Sequence, residues 1–300
     1  MGKIKVIVTG GCGFIGSHLV DELVRQNYDV HVIDDLSAIS NEKFYFNDLA
    51  VYYRKSIIDK DEIDDIFLNA EYVFHLAAES RIQTAIQNPE YAYRVNVIGT
   101  LNILELCRKY KVKRFLLSST SSVYGLTENL PTSEYERLDC LNPYSLSKFF
   151  SEQLCSQYKS FFDIVIFRYF NVFGDRSPVK GQYAPVIGIF LNQFNSGCPL
   201  TIVGDGEQRR DFIHVSDIVS ANIKSIQVDD YFNSEVFNIG SGYNYSINEI
   251  SKVISNNVEY LPNRPGEAKN TLADINKIKN KINFKPTIDL LDWIKIKIKK

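Results

Sequence analysis

A tyrosine and a lysine four residues apart are the clearest chemical signal in this sequence. Tyr144 and Lys148 would share one face of a helix. A phenol with its usual pKa of about 10 is a poor base at neutral pH, but a neighbouring ammonium favours its phenolate. Thr120, in the hydroxyl-rich segment 118–122, could bridge that phenol and a substrate oxygen. Alone, this spacing also occurs in ordinary surface pairs, so its meaning depends on the elements around it.

A glycine-rich segment near the N-terminus could bind a pyrophosphate. Gly10, Gly13 and Gly16 follow a short apolar run and open a helical pattern. Glycines permit a tight turn and a close backbone approach, and the helix N-terminus offers free N–H groups to phosphate. Asp34 ends the second apolar run, where a carboxylate can accept both ribose hydroxyls of an adenosine. Because an acid there repels a 2′-phosphate, NAD is favoured over NADP. The alternative interpretations are a purely structural turn for the glycine segment and an ordinary capping residue for Asp34.

The elements that must position these residues form a βαβ pattern. Predicted strands are 4–9, 29–34, 50–53, 71–76, 113–119 and 163–169, and the main predicted helices between them are 14–26, 90–110 and 143–160. Such alternation indicates an α/β fold with a doubly wound parallel Rossmann-type sheet. Ligands of these sheets bind at the carboxyl ends of the strands.

The second half of the chain has shorter elements and more loops. It contains predicted strands near 199–203 and 235–239 and predicted helices near 184–196, 215–228 and 246–255. We expect an NAD-binding domain at 1–170 and a smaller C-terminal α/β substrate lobe at 171–300, with segments near 205–240 returning to the first domain. The basic tail 293–300 is expected to be a frayed, solvated terminus, with contact to an acidic surface as the alternative.

Composition excludes several classes of function. The net charge of −2 over 300 residues gives no basic field for nucleic acid or an anionic membrane. No stretch approaches the roughly 20 apolar residues that span a bilayer. The five cysteines lack the short paired spacings of zinc sites or disulfide frameworks, so we expect reduced thiols and a cytoplasmic protein. The four histidines show no ligand spacing, so no metal is expected, and His75 and His214 are interpreted as structural.

Several segments together resemble the extended short-chain dehydrogenase/reductase family, and within it the nucleotide-sugar epimerases typified by UDP-galactose 4-epimerase. The resemblance covers nearly the whole chain. It rests on Gly10-Gly11-Cys12-Gly13-Phe14-Ile15-Gly16, His75-Leu76-Ala77-Ala78-Glu79-Ser80, Asn96-Val97-Ile98-Gly99-Thr100, Ser118-Ser119-Thr120, Asn142-Pro143-Tyr144, Arg168-Tyr169-Phe170-Asn171-Val172-Phe173-Gly174, Arg210-Asp211-Phe212-Ile213-His214-Val215 and Arg264-Pro265-Gly266-Glu267.

The resemblance implies a role for each matching residue. Tyr144 would be the base, Lys148 its electrostatic partner and nicotinamide-ribose ligand, and Thr120 the hydroxyl that assists proton transfer; the nicotinamide cation would also favour the phenolate. The implied NAD contacts are Gly10, Gly13, Phe14, Ile15, Gly16, Asp34, Ile57, Leu76, Ala77, Ala78, Asn96, Ser118, Tyr144 and Lys148. The implied substrate contacts are Thr120, Ser121, Ser122, Tyr144, Asn171, Arg210, Arg264 and Glu267, the two arginines clamping the diphosphate. Ser56 departs from the family, which places an Asp there to face the adenine amine.

The residues after Thr120 favour one reaction. Related 4,6-dehydratases place an Asp-Glu pair there, because eliminating water needs an extra acid and base, whereas this chain has Ser121 and Ser122. The family's uronate epimerases have Thr and Arg where this chain has Asn171 and Pro178. The expectation is therefore NAD-dependent 4-epimerisation of a neutral UDP-sugar through a transient 4-keto sugar. A dehydratase, decarboxylase or reductase of the same family, and more remotely a non-catalytic NAD sensor, remain alternatives.

Two further expectations come from the family. Its glucose-restricted members carry a bulky Tyr where this chain has Thr271, which favours acceptance of UDP-N-acetylglucosamine or UDP-N-acetylgalactosamine. Family members dimerise through helices that here span about 90–110 and 143–160. Apolar positions available for such a homodimer are Leu101, Leu104, Phe149, Phe150 and Leu154, although these could equally be buried within one chain.

Overall fold

A computed structural model describes residues 2–38, 43–179, 185–262 and 268–299. Its strands are β1 Lys5–Thr9, β2 Asp29–Ile33, β3 Val51–Tyr53, β4 Tyr72–His75, β5 Arg114–Thr120, β6 Asp163–Tyr169, β7 Asn171–Phe173, β8 Leu200–Val203, β9 Arg209–His214, β10 Glu235–Ile239, β11 Asn244–Ser246 and β12 Val258–Leu261. Its helices are α1 Phe14–Arg25, α2 Lys60–Ile63, α3 Ile82–Gln87, α4 Pro89–Tyr93, α5 Thr100–Lys109, α6 Pro143–Tyr158, α7 Val186–Asn195, α8 Val215–Gln227, α9 Ile247–Ile254, α10 Asn276–Ile282 and α11 Leu290–Ile298.

Seven parallel strands form the central sheet in the order β3-β2-β1-β4-β5-β6-β10. The order reverses at β1, which pairs with β2 on one side and β4 on the other. Strands of this sheet send alternate side chains to opposite faces. In β1, Val6 and Val8 join one core cluster while Ile7 joins the other. Helices α1, α8 and α10 contribute to the first cluster, and α5 and α6 to the second. The predicted doubly wound Rossmann-type fold is confirmed.

A smaller group of elements surrounds a third core cluster in the C-terminal part. Strand β9 pairs in parallel with β7 and antiparallel with β11, and β8 pairs with β12. Phe190, Ile250 and Ile294 are fully buried there. Strand β10 returns to the central sheet beside β6, and α8 packs against α1. The domain boundary at residue 170 stays a prediction. The contacts of β10 and α8 show where these elements pack, but they do not define where one domain ends and the next begins.

The C-terminal tail corrects the sequence analysis. Residues Leu290–Ile298 form helix α11, capped by Asp289, whose side chain accepts a hydrogen bond from the backbone N–H of Asp292. Ile294 is fully buried, and the ring of Trp293 lies 5.3 Å from that of Phe173. The prediction of a frayed terminus was wrong. The alternation of Lys and Ile was taken as the main pattern, whereas the buried residues Leu290 and Ile294 have the i, i+4 spacing of a helix.

Helix 90–110 is present but not uniform. Helices α4 and α5 are joined by a π-helical stretch at Arg94–Gly99. Such stretches often occur at functional sites. No helix in the described ranges is long and apolar enough to cross a membrane.

Candidate active site

The predicted site residues gather at the carboxyl ends of β1, β4, β5 and β6. The glycine turn follows β1 at the point where the strand order reverses, and Thr120 is the last residue of β5. Crevices at such reversals are where open parallel sheets bind ligands. The glycine turn and Thr120 therefore lie at the same edge of the sheet, the edge at which such sheets bind ligands.

The glycine turn leaves no room for side chains at two positions. Gly10 has φ +72°, and a Cβ there would lie 2.7 Å from the backbone nitrogen of Ala77. A Cβ on Gly16 would overlap the carbonyl oxygen of Gly10. Gly13 is the N-cap of α1, and no side chain caps the first amides of that helix. These amides, next to Phe14 and Ile15, therefore suit the pyrophosphate of a dinucleotide.

Asp34 lies beside this turn, at the end of β2. Its Oδ2 accepts a hydrogen bond from Cys12 N at 2.9 Å, and its Oδ1 accepts one from Leu36 N at 2.9 Å. Burial raises the pKa of Asp34, and these two bonds oppose the rise. Each oxygen keeps a further lone pair, which suits a ribose diol. Contact with the adenosine ribose stays a prediction.

The residues after β4 form the opposite wall of the crevice. Leu76 N donates to Thr9 O at 3.1 Å, and Ala77 N donates to the Thr9 hydroxyl at 3.1 Å. Ala78 follows them and is likewise half-buried. Ile57, an implied NAD contact, is buried against Gly99. A Cβ on Gly99 would lie 2.5 Å from Cδ1 of Ile57. This wall brings backbone close to the glycine turn.

Asn96 and Ser118 are engaged with protein groups. The Asn96 amide donates to Glu79 O at 2.9 Å and to Ser147 Oγ at 2.8 Å, and its oxygen accepts from Glu79 N at 2.8 Å. It therefore ties the loop after β4 to α6. The Ser118 hydroxyl donates to the Tyr169 hydroxyl at 3.1 Å. Their direct contact with NAD stays a prediction.

Helix α6 presents Tyr144 and Lys148 toward the end of β5. Asn142 and Ser145 form a capping box that fixes the start of this helix. The Thr120 hydroxyl hydrogen bonds to the Tyr144 phenol and thereby lowers its pKa, but burial has the larger effect and raises it. The expected lowering of that pKa is therefore not found in the protein alone. The positive charge of a bound nicotinamide ring would have to contribute it.

Lys148 is only 3% exposed, and burial lowers its pKa to about 8. Among the described residues its ammonium has no hydrogen-bond acceptor, so it can donate to a ligand. Beneath it, burial and the Lys148 charge lower the pKa of His75 to about 3. His75 is therefore neutral and lies between the hydroxyls of Thr9 and Thr100 at 2.8 and 3.0 Å. The structural interpretation of His75 is confirmed.

The predicted substrate residues lie on neighbouring elements. Ser121 and Ser122 begin the 3₁₀ turn Ser121–Tyr124 directly after β5. Asn171 starts β7 and donates to Asp211 O at 2.9 Å, and Arg210 in the adjacent β9 donates to Lys269 O at 3.0 Å. Arg264 and Glu267 lie outside the described residues. Contact of all these residues with substrate stays a prediction.

Sequence reasoning missed three buried charged residues near the site. Asp211 is fully buried and accepts hydrogen bonds from Ser241 N, Gly242 N and Ala273 N, which fixes the loops beside Arg210. Glu152 and Arg168 form a buried ion pair at the back of α6. Arg168 and Asp211 lie in segments that carry the family resemblance, and Glu152 lies four residues after Lys148, but no role was predicted for any of them. Among the described residues no group of His, Cys, Asp and Glu side chains is arranged to hold a metal.

Known proteins match most of this chain. The family model for the NAD dependent epimerase/dehydratase family matches residues 6–240. A relative from Methanocaldococcus jannaschii that bears the name "Putative UDP-glucose 4-epimerase" is 37% identical, over 97% of this chain and 96% of its own. A UDP-N-acetyl-alpha-D-glucosaminuronate decarboxylase of Bacillus cytotoxicus is 32% identical, over 95% of this chain and 94% of its own.

Several solved structures of 4-epimerases are also similar to this chain. The UDP-glucose 4-epimerase of Thermotoga maritima, determined with UDP-glucose, has a TM-score of 0.92 at 34% identity and covers 99% of this chain and 98% of its own. The UDP-N-acetylglucosamine 4-epimerase of Methanobrevibacter ruminantium, determined with UDP-N-acetylmuramic acid, has a TM-score of 0.91 at 36% identity and covers 100% and 98%. A UDP-glucose 4-epimerase of Thermus thermophilus, determined with NAD, has a TM-score of 0.88 at 27% identity and covers 99% and 98%.

The glycine turn and the buried lysine fit a dinucleotide, and the matching family depends on NAD. NAD is therefore the cofactor. This chain belongs to the NAD dependent epimerase/dehydratase family of nucleotide-sugar enzymes, within the extended short-chain dehydrogenases/reductases.

Proposed function

We propose that this chain is a 4-epimerase of a UDP-sugar. The observation that carries the proposal is the turn after β5, where Ser121 and Ser122 follow Thr120. The Ser122 backbone N–H donates to the Thr120 hydroxyl at 3.1 Å, and the Thr120 and Ser122 hydroxyls lie within hydrogen-bond distance of each other at 3.1 Å. These hydroxyls can bind a sugar but do not supply the acid and base that elimination of water requires. The chemistry that this turn supports is therefore proton transfer between Tyr144 and one hydroxyl of the sugar.

In this mechanism Tyr144 Oη takes the proton from the sugar O4 and returns it after the sugar has presented its other face. The Thr120 hydroxyl bridges O4 and the phenol, and Lys148 holds a positive charge beside them. Bound NAD supplies the hydride acceptor at C4 and then the donor. Arg210 and Arg264 clamp the diphosphate, Asn171 contacts the sugar or its phosphate, and Glu267 accepts the uridine ribose hydroxyls. The nucleotide is thereby held so that the sugar can turn without leaving the site.

The sugar pocket favours a substrate with an N-acetyl group. Thr271 is half-buried, and its hydroxyl accepts a hydrogen bond from Asp211 N at 3.2 Å, so this small side chain leans against β9. A small residue leaves space where the family's glucose-restricted members carry Tyr. Equal-concentration assays with UDP-glucose and UDP-N-acetylglucosamine test this; turnover of UDP-glucose and UDP-galactose alone contradicts it.

Decarboxylation of a UDP-linked uronate is the second candidate, because decarboxylases occur among the relatives at 32% identity. Its substrate carries a carboxylate that the site would have to recognise. The test is incubation with UDP-, GDP- and dTDP-sugars, uronates included, followed by sugar analysis of the products. We expect C4 epimers of a UDP-sugar; release of carbon dioxide or a 6-deoxy-4-keto product would replace this assignment.

We also propose that the chain forms a homodimer. Only those predicted apolar positions that are exposed could lie in its interface. Leu104 is fully buried within the chain and cannot contribute. Phe150 is 41% exposed and Ile98 47% exposed, and the ring of Tyr93 lies 6.2 Å from that of Phe150. Exposed apolar groups of this kind on α4 to α6 favour association. Sizing of the wild type and of Phe150→Asp tests it; a monomeric wild type contradicts it.

A further inference from the structure

A buried ion pair ties the back of α6 to the central sheet. The side chain of Glu152 is 2% exposed and that of Arg168, in β6, is 5% exposed. Arg168 Nη2 donates to Glu152 Oε2 at 2.6 Å, and Arg168 Nε donates to Oε1 at 3.0 Å. Burying two charges is costly, so the pair depends on this bidentate geometry.

The pair holds the chain on both sides of Thr120. The Ser119 hydroxyl, one residue before Thr120, donates to Glu152 Oε1 at 2.5 Å. Arg168 Nη1 donates to the hydroxyl of Tyr124, which ends the turn after Thr120, at 2.9 Å, and its guanidinium lies 4.8 Å from that ring. The ion pair therefore connects four elements: the Glu152 carboxylate joins α6 to the end of β5 and to β6, and the Arg168 guanidinium joins β6 to the turn after β5.

Glu152 is also the anionic neighbour of Lys148, one helical turn away on α6. Burial lowers the pKa of Lys148, and the Glu152 carboxylate is the main influence that opposes this. Among the described residues, the other titratable or charged groups facing this part of α6 are His75 of β4, Cys107 of α5, Cys155 of α6, Tyr124 of the turn, Arg168 of β6 and, beside Tyr144, Glu79 after β4. Cys140, before α6, also faces the pair, and burial raises its pKa, so that it keeps its proton.

These other groups cannot replace Glu152. His75 is neutral, and burial raises the pKa of Cys107, Cys155 and Tyr124, so each of these keeps its proton. Glu79 faces the phenol and raises its pKa, which opposes the phenolate.

We propose that Glu152 is a positioning residue for this site, holding Lys148 in register with Thr120 through Arg168 and Ser119 and supplying the negative charge that Lys148 faces. It acts through these residues and contacts neither substrate nor cofactor. The inference rests on the proposed function in one respect, since it takes Lys148 to work as a cation beside NAD and Tyr144.

The test compares Glu152→Gln with a matched control, Asp163→Asn. Asp163, the first residue of β6, forms an equally buried pair with Arg114, the first residue of β5, with side chains 2% and 4% exposed. This pair lies at the opposite ends of the strands that carry Arg168 and Ser119. For the wild type and both variants, NAD affinity is measured by titration of NAD-stripped full-length protein across pH. The kcat for the UDP-sugar that the wild type converts is measured across the same range.

Removing the Glu152 charge destabilises the protonated form of Lys148. In Glu152→Gln we expect the pH above which NAD affinity and kcat fall to move down by about one unit. Asp163→Asn should lower the melting temperature and leave that pH unchanged. A Glu152→Gln profile that coincides with those of the wild type and Asp163→Asn overturns the proposal. If the wild type converts no UDP-sugar, the proposed function fails, and the NAD titration still decides this inference.

A second variant covers failure of Glu152→Gln to fold. Glu152→Asp keeps the charge but withdraws the carboxylate from Arg168 and Ser119 by one methylene. We expect kcat and NAD affinity at neutral pH to fall by about tenfold each, as for other misplaced site supports, with the pH of the fall unchanged. Wild-type values of both quantities overturn the proposal.

Discussion

At the scale of single residues, burial works against the phenolate of Tyr144. Burial and the Glu79 carboxylate raise the pKa of Tyr144, and only the hydrogen bond with Thr120 lowers it among the influences found in the protein. A base at this position therefore needs positive charge from the nicotinamide ring beside Lys148. The proposed mechanism therefore couples proton transfer at O4 to hydride transfer at C4.

Replacing the phenol tests its assignment. Tyr144→Phe should lower kcat by about 10³-fold, because a positioned base is worth roughly this factor, while NAD remains bound. Tyr158→Phe is the control: Tyr158 ends the same helix, and its hydroxyl donates to Glu105 away from the site. The readouts are kcat and the NAD content of the purified protein. Near-normal turnover in Tyr144→Phe would refute the base.

The pKa of Lys148 predicts the basic side of the pH profile. Because burial lowers this pKa to about 8, the ammonium is present below that pH and lost above it. The positive charge that the proposed mechanism places beside the sugar O4 is lost with it. The kcat/KM should therefore fall as pH rises through about 8, which steady-state rates across pH will show. A plateau extending beyond about pH 9.5, well above this pKa, is incompatible with the assigned role.

The residue predictions came from local spacing in the sequence. Hydrogen bonds between residues far apart in the sequence could not be predicted in this way. The positions of Thr120 at a strand end and of Tyr144 and Lys148 on one helix were predicted because both patterns are local. Glu152 accepts hydrogen bonds from Ser119 and Arg168, which are 33 and 16 residues away. No periodicity encodes such pairings, so the sequence left Glu152 without a role.

At the scale of elements, the contact between β1 and the loop after β4 depends on Gly10. Gly10→Ala would place a Cβ 2.7 Å from Ala77 N at φ +72°. Gly197→Ala is the matched control, since Gly197 has φ +68° but no atom within 4 Å of an added Cβ. The control should cost about 1–2 kcal/mol of unfolding free energy from the backbone alone. Gly10→Ala should cost more and weaken NAD binding; equal effects on both measurements would contradict the close approach.

Elements were predicted well where burial on both faces gave long apolar runs, as in β1, β5 and β6. The short strands β7, β9 and β11 were not predicted. Each has only three to six residues, and β9 begins with Arg209, Arg210 and Asp211, which read as a loop. Pairing between distant segments, not local pattern, makes them strands.

At the scale of the whole molecule, α11 closes the third core cluster. Ile294 is fully buried, whereas Ile296 on the same helix is 58% exposed. Ile294→Ala should lower the free energy of unfolding by about 2–5 kcal/mol, because it leaves a cavity. Ile296→Ala should change it by less than about 0.5 kcal/mol. Denaturant unfolding measures both, and equal small losses would mean that the tail is frayed after all.

The central claim concerns which carbon of the sugar reacts. The direct measurement uses UDP-N-acetylglucosamine or UDP-glucose carrying deuterium at C4, without added NAD. We expect the label at C4 in both epimers at equilibrium, because in the proposed mechanism hydride leaves C4 and returns to C4 without exchange with water. Loss of the label to water, or a product altered at C5 or C6 with C4 unchanged, would contradict the account.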